Sequence, residues 1–214
     1  MSAHETHERT RKTNQKNEFL ALLRLTGRAH EYSTGLFSGP FVGFVGQNLD
    51  ELFDVVDAQD RVTGQQPRRV VHARGLRHRA VHLLVVNRAG RVFLHKRSMA
   101  KDLFPGVWDS SAAGHVGAGE DYDGTAAREL EEELGCRPEH PPKRLFKIEA
   151  REETGQEFVW VYRVEADGPF TLQAEEIERG AWFAPADIER WINERPQELA
   201  PAFLYLWPKA KGML

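Results

Sequence analysis

The stretch that most constrains this chain runs from Gly114 to Cys136. Glycines at 114, 117, 119 and 124 lead into Thr125-Ala126-Ala127-Arg128-Glu129-Leu130-Glu131-Glu132-Glu133-Leu134, a run of helix formers that stops at Gly135, with Pro138 just beyond. On a helix, Ala126, Leu130 and Leu134 fall on one face and are offered to a core. Glu129, Glu132 and Glu133 stand at i, i+3 and i+4 and share another face. Like charges at Glu129 and Glu133 cost about 0.2–0.5 kcal/mol on their own, and a bridging cation reverses the sign. An all-oxygen donor set suits Mg²⁺ or Mn²⁺, and Mg²⁺ often binds through a few carboxylates plus substrate phosphates. Arg128, four residues before Glu132, can hold a carboxylate in place. The glycines let backbone come close to a metal or a phosphate.

Around this segment the chain alternates short strands and helices. Leu52–Asp57 reads as a strand followed by a polar turn at Gln59-Asp60-Arg61. Ala80–Val86 is a buried-strand run, Arg88-Ala89-Gly90 a hairpin loop and Arg91–His95 the return strand. Arg144–Ala150 and Glu157–Val164 are further strands, Ala186–Asn193 is a short helix after Pro185, and residues 197–207 are an apolar helical stretch. Hairpins with few clean β-α-β alternations predict an α/β domain with a mixed sheet between helices, over residues 50–214. Residues 1–18 are polar with no apolar period and read as disordered. Residues 19–49 hold a short apolar helix candidate and a Gly/Ser-rich run from Ser33 to Gly46. Residues 1–49 are therefore expected to be a disordered or weakly ordered N-terminal extension, the alternatives being a docking arm or sequence outside the functional domain.

Over 214 residues, Lys+Arg 29 against Asp+Glu 32 leaves a net charge of −3, which gives no reason to expect a nucleic-acid or membrane-surface partner. The single cysteine, Cys136, excludes an intramolecular disulfide and a structural Cys-cluster zinc site, and fits a reducing, cytoplasmic setting. No apolar run reaches transmembrane length, and Phe19–Leu23, cut by Arg24, makes no convincing signal peptide. The expected partner is a small molecule, and a homodimer is compatible with the chain.

The spacing Gly114, five residues, Glu120, seven residues, Arg128-Glu129-Leu130, one residue, Glu132-Glu133, one residue, Gly135-Cys136 is the Nudix box, and the chain resembles a Nudix hydrolase. All the fixed positions are filled, and Cys136 stands where an aliphatic residue is usual. An acidic helix face is ordinarily a solvated surface, but an accidental match to the whole pattern is on the order of one in a million. The resemblance implies an α/β/α sandwich around a mixed sheet. It also implies metal-assisted attack of water on a diphosphate, with Mg²⁺ or Mn²⁺ as cofactor. It makes Glu129, Glu132 and Glu133 metal ligands with the Gly114 carbonyl, and has Glu120 and Arg128 orient them. Glu132, Glu133 and Arg128 are thus expected in the catalytic machinery.

His72 to Gly135, including Gly75–Ala80 and Phe104–Trp108, resembles the branch related to isopentenyl-diphosphate isomerase. The isomerases carry an essential cysteine one position before the glycine matching Gly114, where this chain has Ala113. They also lack the full run of box glutamates. Both departures favour hydrolase over isomerase. A non-catalytic nucleotide-binding module is the other alternative, but such modules typically lose box glutamates. Arg97 and Lys101 match isomerase residues that hold the substrate diphosphate, and their fork and point charge suit phosphate. His72, His78, His115 and Glu157 match positions that bind a metal in the isomerases. The plainer expectation is that these histidines make structural hydrogen bonds near the pocket. A base to activate water is expected outside the box, with Glu176 first among Glu175, Glu176 and Glu178, and Glu157 second. Phe158, Trp160 and Tyr162 are expected in the core.

Overall fold

The computed structural model describes residues 50–214 with the exception of Asp102. The expectation for residues 1–49 lies outside the described residues.

Alternation along the strand β3 (His78–Val86) organises the molecule. Val81, Leu83 and Val85 point to one face of the sheet, and Ala80, Leu84 and Val86 to the other, as the two-residue period of a strand requires. β3 runs parallel to β8 (Glu157–Glu165) along its whole length, from His78 opposite Glu157 to Val86 opposite Glu165. It also pairs antiparallel with β4 (Val92–Arg97) and β6 (Ala112–His115). β4 continues into β5 (Trp108–Asp109) and β9 (Ile177–Phe183), and β7 (Lys143–Ile148) closes the other edge on β8. The sheet is mixed, as the hairpins and the single long crossover imply. Outside it, β1 (Leu52–Val56) and β2 (Val62–Pro67) form a two-stranded ribbon that leads into a short helix, α1 (Arg68–Arg74).

Helix α2 (Tyr122–Leu134) covers one face. Tyr122, Ala126, Leu130 and Leu134 pack on Val81, Leu83 and Val85. The Asp121 side chain caps its first turn by accepting from the Gly124 N–H, and Gly135 ends it in the left-handed conformation at φ 59°. The other face is covered by α3 (Pro185–Glu194) and α4 (Pro201–Ala210), whose Ile188, Trp191, Phe203, Leu206 and Trp207 meet Ala80, Leu84 and Val86. This is the α/β/α sandwich expected from the sequence. Phe158 and Tyr162 are buried in the core, while Trp160 is half-buried under the Arg144 guanidinium.

Candidate active site and a neighbouring histidine cluster

The carboxylate face of α2 lies against β6, and the fit explains two residue choices. A Cβ at Gly114 would overlap the Glu129 carboxyl, so glycine is required there by close approach. On the preceding residue of the same strand, the Ala113 N–H donates to Glu133 Oε2 at 3.3 Å. Glu129 and Glu133 are therefore buried side by side, with Glu132 52% exposed at the rim.

Burial and the Glu132 charge push the Glu129 carboxyl up to about 7, against the pull of Arg128. Glu133 is raised well above the ordinary carboxylate range by burial and by the charges of Glu129 and Glu176. Two acids that cannot comfortably both be ionised mark a place short of positive charge.

Arg128 supplies part of that charge and fixes the geometry. Its Nε and Nη2 donate to Glu120 Oε1 and Oε2 at 3.1 and 3.0 Å. Nη1 donates to Glu129 Oε1 at 2.9 Å and to Glu132 Oε2 at 2.8 Å, and Nη2 also reaches the His115 carbonyl at 3.3 Å. Glu120 is held in turn by the Gly117 N–H and the Thr125 hydroxyl, both at 3.0 Å. Arg128 is thus a positioning residue whose fork is filled by protein partners. Glu51, which sequence reading missed, stands beside this group. Its carboxyl is raised by burial and feels the charges of Arg68, Arg128, Glu120 and Glu132.

The residues expected outside the box fall in two places. Glu176, just before β9, pairs with Lys101 Nζ, and its charge reaches Glu133. Glu178 turns instead to Lys96 at 2.9 Å. Arg97, expected on phosphate, directs its fork at the loop that follows β4. Nε and Nη2 donate to the Leu103 carbonyl at 3.3 and 2.9 Å, Nε also to the Phe104 carbonyl at 3.2 Å, and Nη1 meets Asp109 at 3.5 Å. It shapes the loop that carries Lys101.

His72, His78, His115 and Glu157 are brought together elsewhere, around Phe53. Their ligand atoms all lie within 4.8 Å of one another. The expected structural hydrogen bonds are only partly present. His78 Nδ1 meets the Leu76 carbonyl at 2.9 Å, and His115 Nε2 meets Glu157 Oε1 at 3.1 Å, but His72 Nε2 and His78 Nε2 are buried without a partner. Burial holds the His72 and His115 rings down at about 4, so both are neutral at neutral pH.

A Nudix domain model matches residues 76–203 of this chain. The chain belongs to the Nudix hydrolase family. It is 42% identical over 171 residues to an uncharacterized Nudix hydrolase of Streptomyces coelicolor, SCO1686, covering 77% of this chain and 94% of that one. It is 42% identical over 165 residues to an uncharacterized Nudix hydrolase of Pseudomonas aeruginosa, PA4841, covering 73% and 94%. Among solved structures it is similar to DR0079 from Deinococcus radiodurans, with a TM-score of 0.66 at 27% identity, over 74% of this chain and 98% of that one. Enzymes of this family generally use a divalent metal. No helix among the described residues is long and apolar enough to cross a membrane.

Proposed function

We propose that the chain hydrolyses a diphosphate linkage in a nucleoside diphosphate derivative or similar small molecule, with Mg²⁺ or Mn²⁺ as cofactor. The observation that carries this reading is the buried pair Glu129 and Glu133, raised in pKa and flanked by Glu132 under the Arg128 clip. An oxygen-only pocket of this charge fits a hard divalent cation. When bound, such an ion neutralises charge developing on phosphoryl oxygens and makes water easier to deprotonate. Glu129, Glu132 and Glu133 would hold it, with the Gly114 carbonyl.

The chain's own residues do the rest. Arg128 and Glu120 keep the carboxylates aimed. Lys101 offers an ammonium to phosphate, and Arg97 holds the loop that presents it. Glu176 is the base for the attacking water, and its pairing with Lys101 couples the two roles. A phosphate that draws Lys101 away leaves the Glu176 carboxylate free to take a proton. Ala113 stands where an isomerase carries cysteine, and the Cys136 thiol is buried beyond the end of α2 with its pKa raised by burial. That placement favours hydrolysis over isomerisation.

A panel of nucleoside diphosphate derivatives, dinucleotides, nucleotide sugars and prenyl diphosphates, incubated with purified protein, tests the reading. Phosphate or monophosphate release with Mg²⁺ or Mn²⁺, stopped by chelator, is expected. Release that chelator leaves untouched would contradict it.

A further inference from the structure

We propose that His95, a buried histidine on β4 that the proposed reaction does not use, is a positioning residue for Glu133. Granted the metal-dependent hydrolysis proposed above, its N–H closes on the Glu133 carboxylate from behind when that group ionises to hold the cation. The three helix carboxylates are not held alike. Arg128 Nη1 donates to Glu129 at 2.9 Å and to Glu132 at 2.8 Å, but to neither oxygen of Glu133. Among the described residues, the one hydrogen-bond donor to Glu133 is the Ala113 N–H, 3.3 Å from Oε2. A carboxylate ionised at 4% exposure needs more than one long hydrogen bond. The N–H next in line belongs to His95, whose Nδ1 lies 3.9 Å from the same Oε2. That separation is beyond hydrogen-bond length, and a small turn of either side chain closes it. Both donors approach Oε2, so Oε1 is the oxygen left for an ion.

The surroundings of the ring set it for this role. Phe93 and His95 share the face of β4 that α2 covers. His95 Nδ1 meets the Ser111 carbonyl at 3.1 Å, so Nδ1 bears the proton. Burial holds the ring below the ordinary imidazole range, which keeps it neutral with a single N–H. That N–H faces a carbonyl and a carboxylate at once. Ser111 is itself locked between two strands. Its hydroxyl accepts from the Val85 N–H at 2.7 Å and donates to the Phe93 carbonyl, and its N–H donates to the Leu83 carbonyl at 2.9 Å. The carbonyl therefore fixes the tautomer, as an outer partner does for the groups around a metal. A side chain that only filled this space would need no N–H, and burying an imidazole there costs more than burying an apolar group.

The test reads metal uptake rather than turnover. The full chain is titrated with Mn²⁺ at one slightly alkaline pH, and the free ion is followed by electron paramagnetic resonance. His95→Leu removes the N–H and keeps an apolar filler, and it should weaken Mn²⁺ binding by about 10-fold. His95→Asn, whose amide can stand at the Nδ1 position, should recover most of that loss. In a Glu133→Gln background, His95→Leu should cost nothing further, because the two residues act as a pair. Wild-type affinity in His95→Leu, an equal loss in the Leu and Asn variants, or an undiminished loss in the Glu133→Gln background would each overturn the inference and leave the proposed function standing. A wild-type chain that takes up no Mn²⁺ would overturn the proposed function, and the inference with it. Should His95→Leu fail to fold, the wild type decides by proton magnetic resonance. Mg²⁺ should move the His95 Nδ1–H signal to lower field, as a new bond to a charged acceptor requires, and a signal that stays in place overturns the inference.

Discussion

Arg128 and Gly114 show how far single residues set the carboxylate centre. Arg128 touches three glutamates and a carbonyl. Gly114 leaves the space that the Glu129 carboxyl occupies. Gly114→Ala must displace that carboxyl, so metal-dependent turnover is expected to fall by about 100-fold with the far-ultraviolet circular dichroism unchanged. Wild-type turnover in this variant would show that the close approach is immaterial. The buried acids also make a pH prediction. Glu129 sits at about 7, so below that pH a proton must leave before a cation can bind, and burial with the charges of Glu129 and Glu176 raises Glu133 well above the ordinary carboxylate range too. Apparent Mg²⁺ affinity should therefore rise with pH across this range. It should fall by roughly tenfold or more for each unit below about 7, a slope that calorimetric titration would measure. A flat profile between pH 6 and 8 would mean that these carboxyls are ionised before metal arrives.

At the level of elements, α2 holds the site because its other side is fastened to the sheet. Leu130 is fully buried against β3 residues. Leu130→Ala should cost about 2–5 kcal/mol in denaturant unfolding, a value near zero excluding it from the core. This helix was legible because capping, apolar period and charge all agree along it. The long strands β3 and β8 and the helices α3 and α4 were legible for the same reason. β2 was not, because Val62–Pro67 is polar and mostly exposed, with no apolar alternation to read. The short α1 buries only Val71 among its residues. β5 and β6 are too short to show a period, and in β9 the polar Glu178-Arg179-Gly180 separates the buried Ile177 from the aromatics. The carboxylates of the site were readable from spacing within one helix. Glu51 and the Arg68–His115 contact were not, since they arise where the β1–β2 ribbon packs back on the glycine loop, with Leu52 O accepting from the Ala118 N–H at 2.8 Å. Arg97 was expected on phosphate from its match to an isomerase residue, and its contacts with the Leu103 and Phe104 carbonyls could not be read from that match.

Across the whole molecule, the sandwich places two donor clusters of different chemistry on either side of β6. Gly114 meets the oxygen cluster, and His115 belongs to the nitrogen-rich one. The near-neutral net charge of −3 conceals this separation of acids at α2 from Lys101, Arg97 and Arg68 around them. Stability and function should also part company here. Glu133 is an acid buried at a cost, so Glu133→Gln should leave the metal-free protein at least as stable as the wild type in thermal unfolding. That makes it the cleanest probe of the central claim, that these carboxylates hold the ion which drives diphosphate hydrolysis. The decisive measurement is steady-state turnover of a cleaved diphosphate in saturating Mg²⁺ by wild-type, Glu132→Gln and Glu133→Gln proteins. The account predicts a loss of about 100-fold or more in each variant with folding intact, and unchanged rates in both would contradict it.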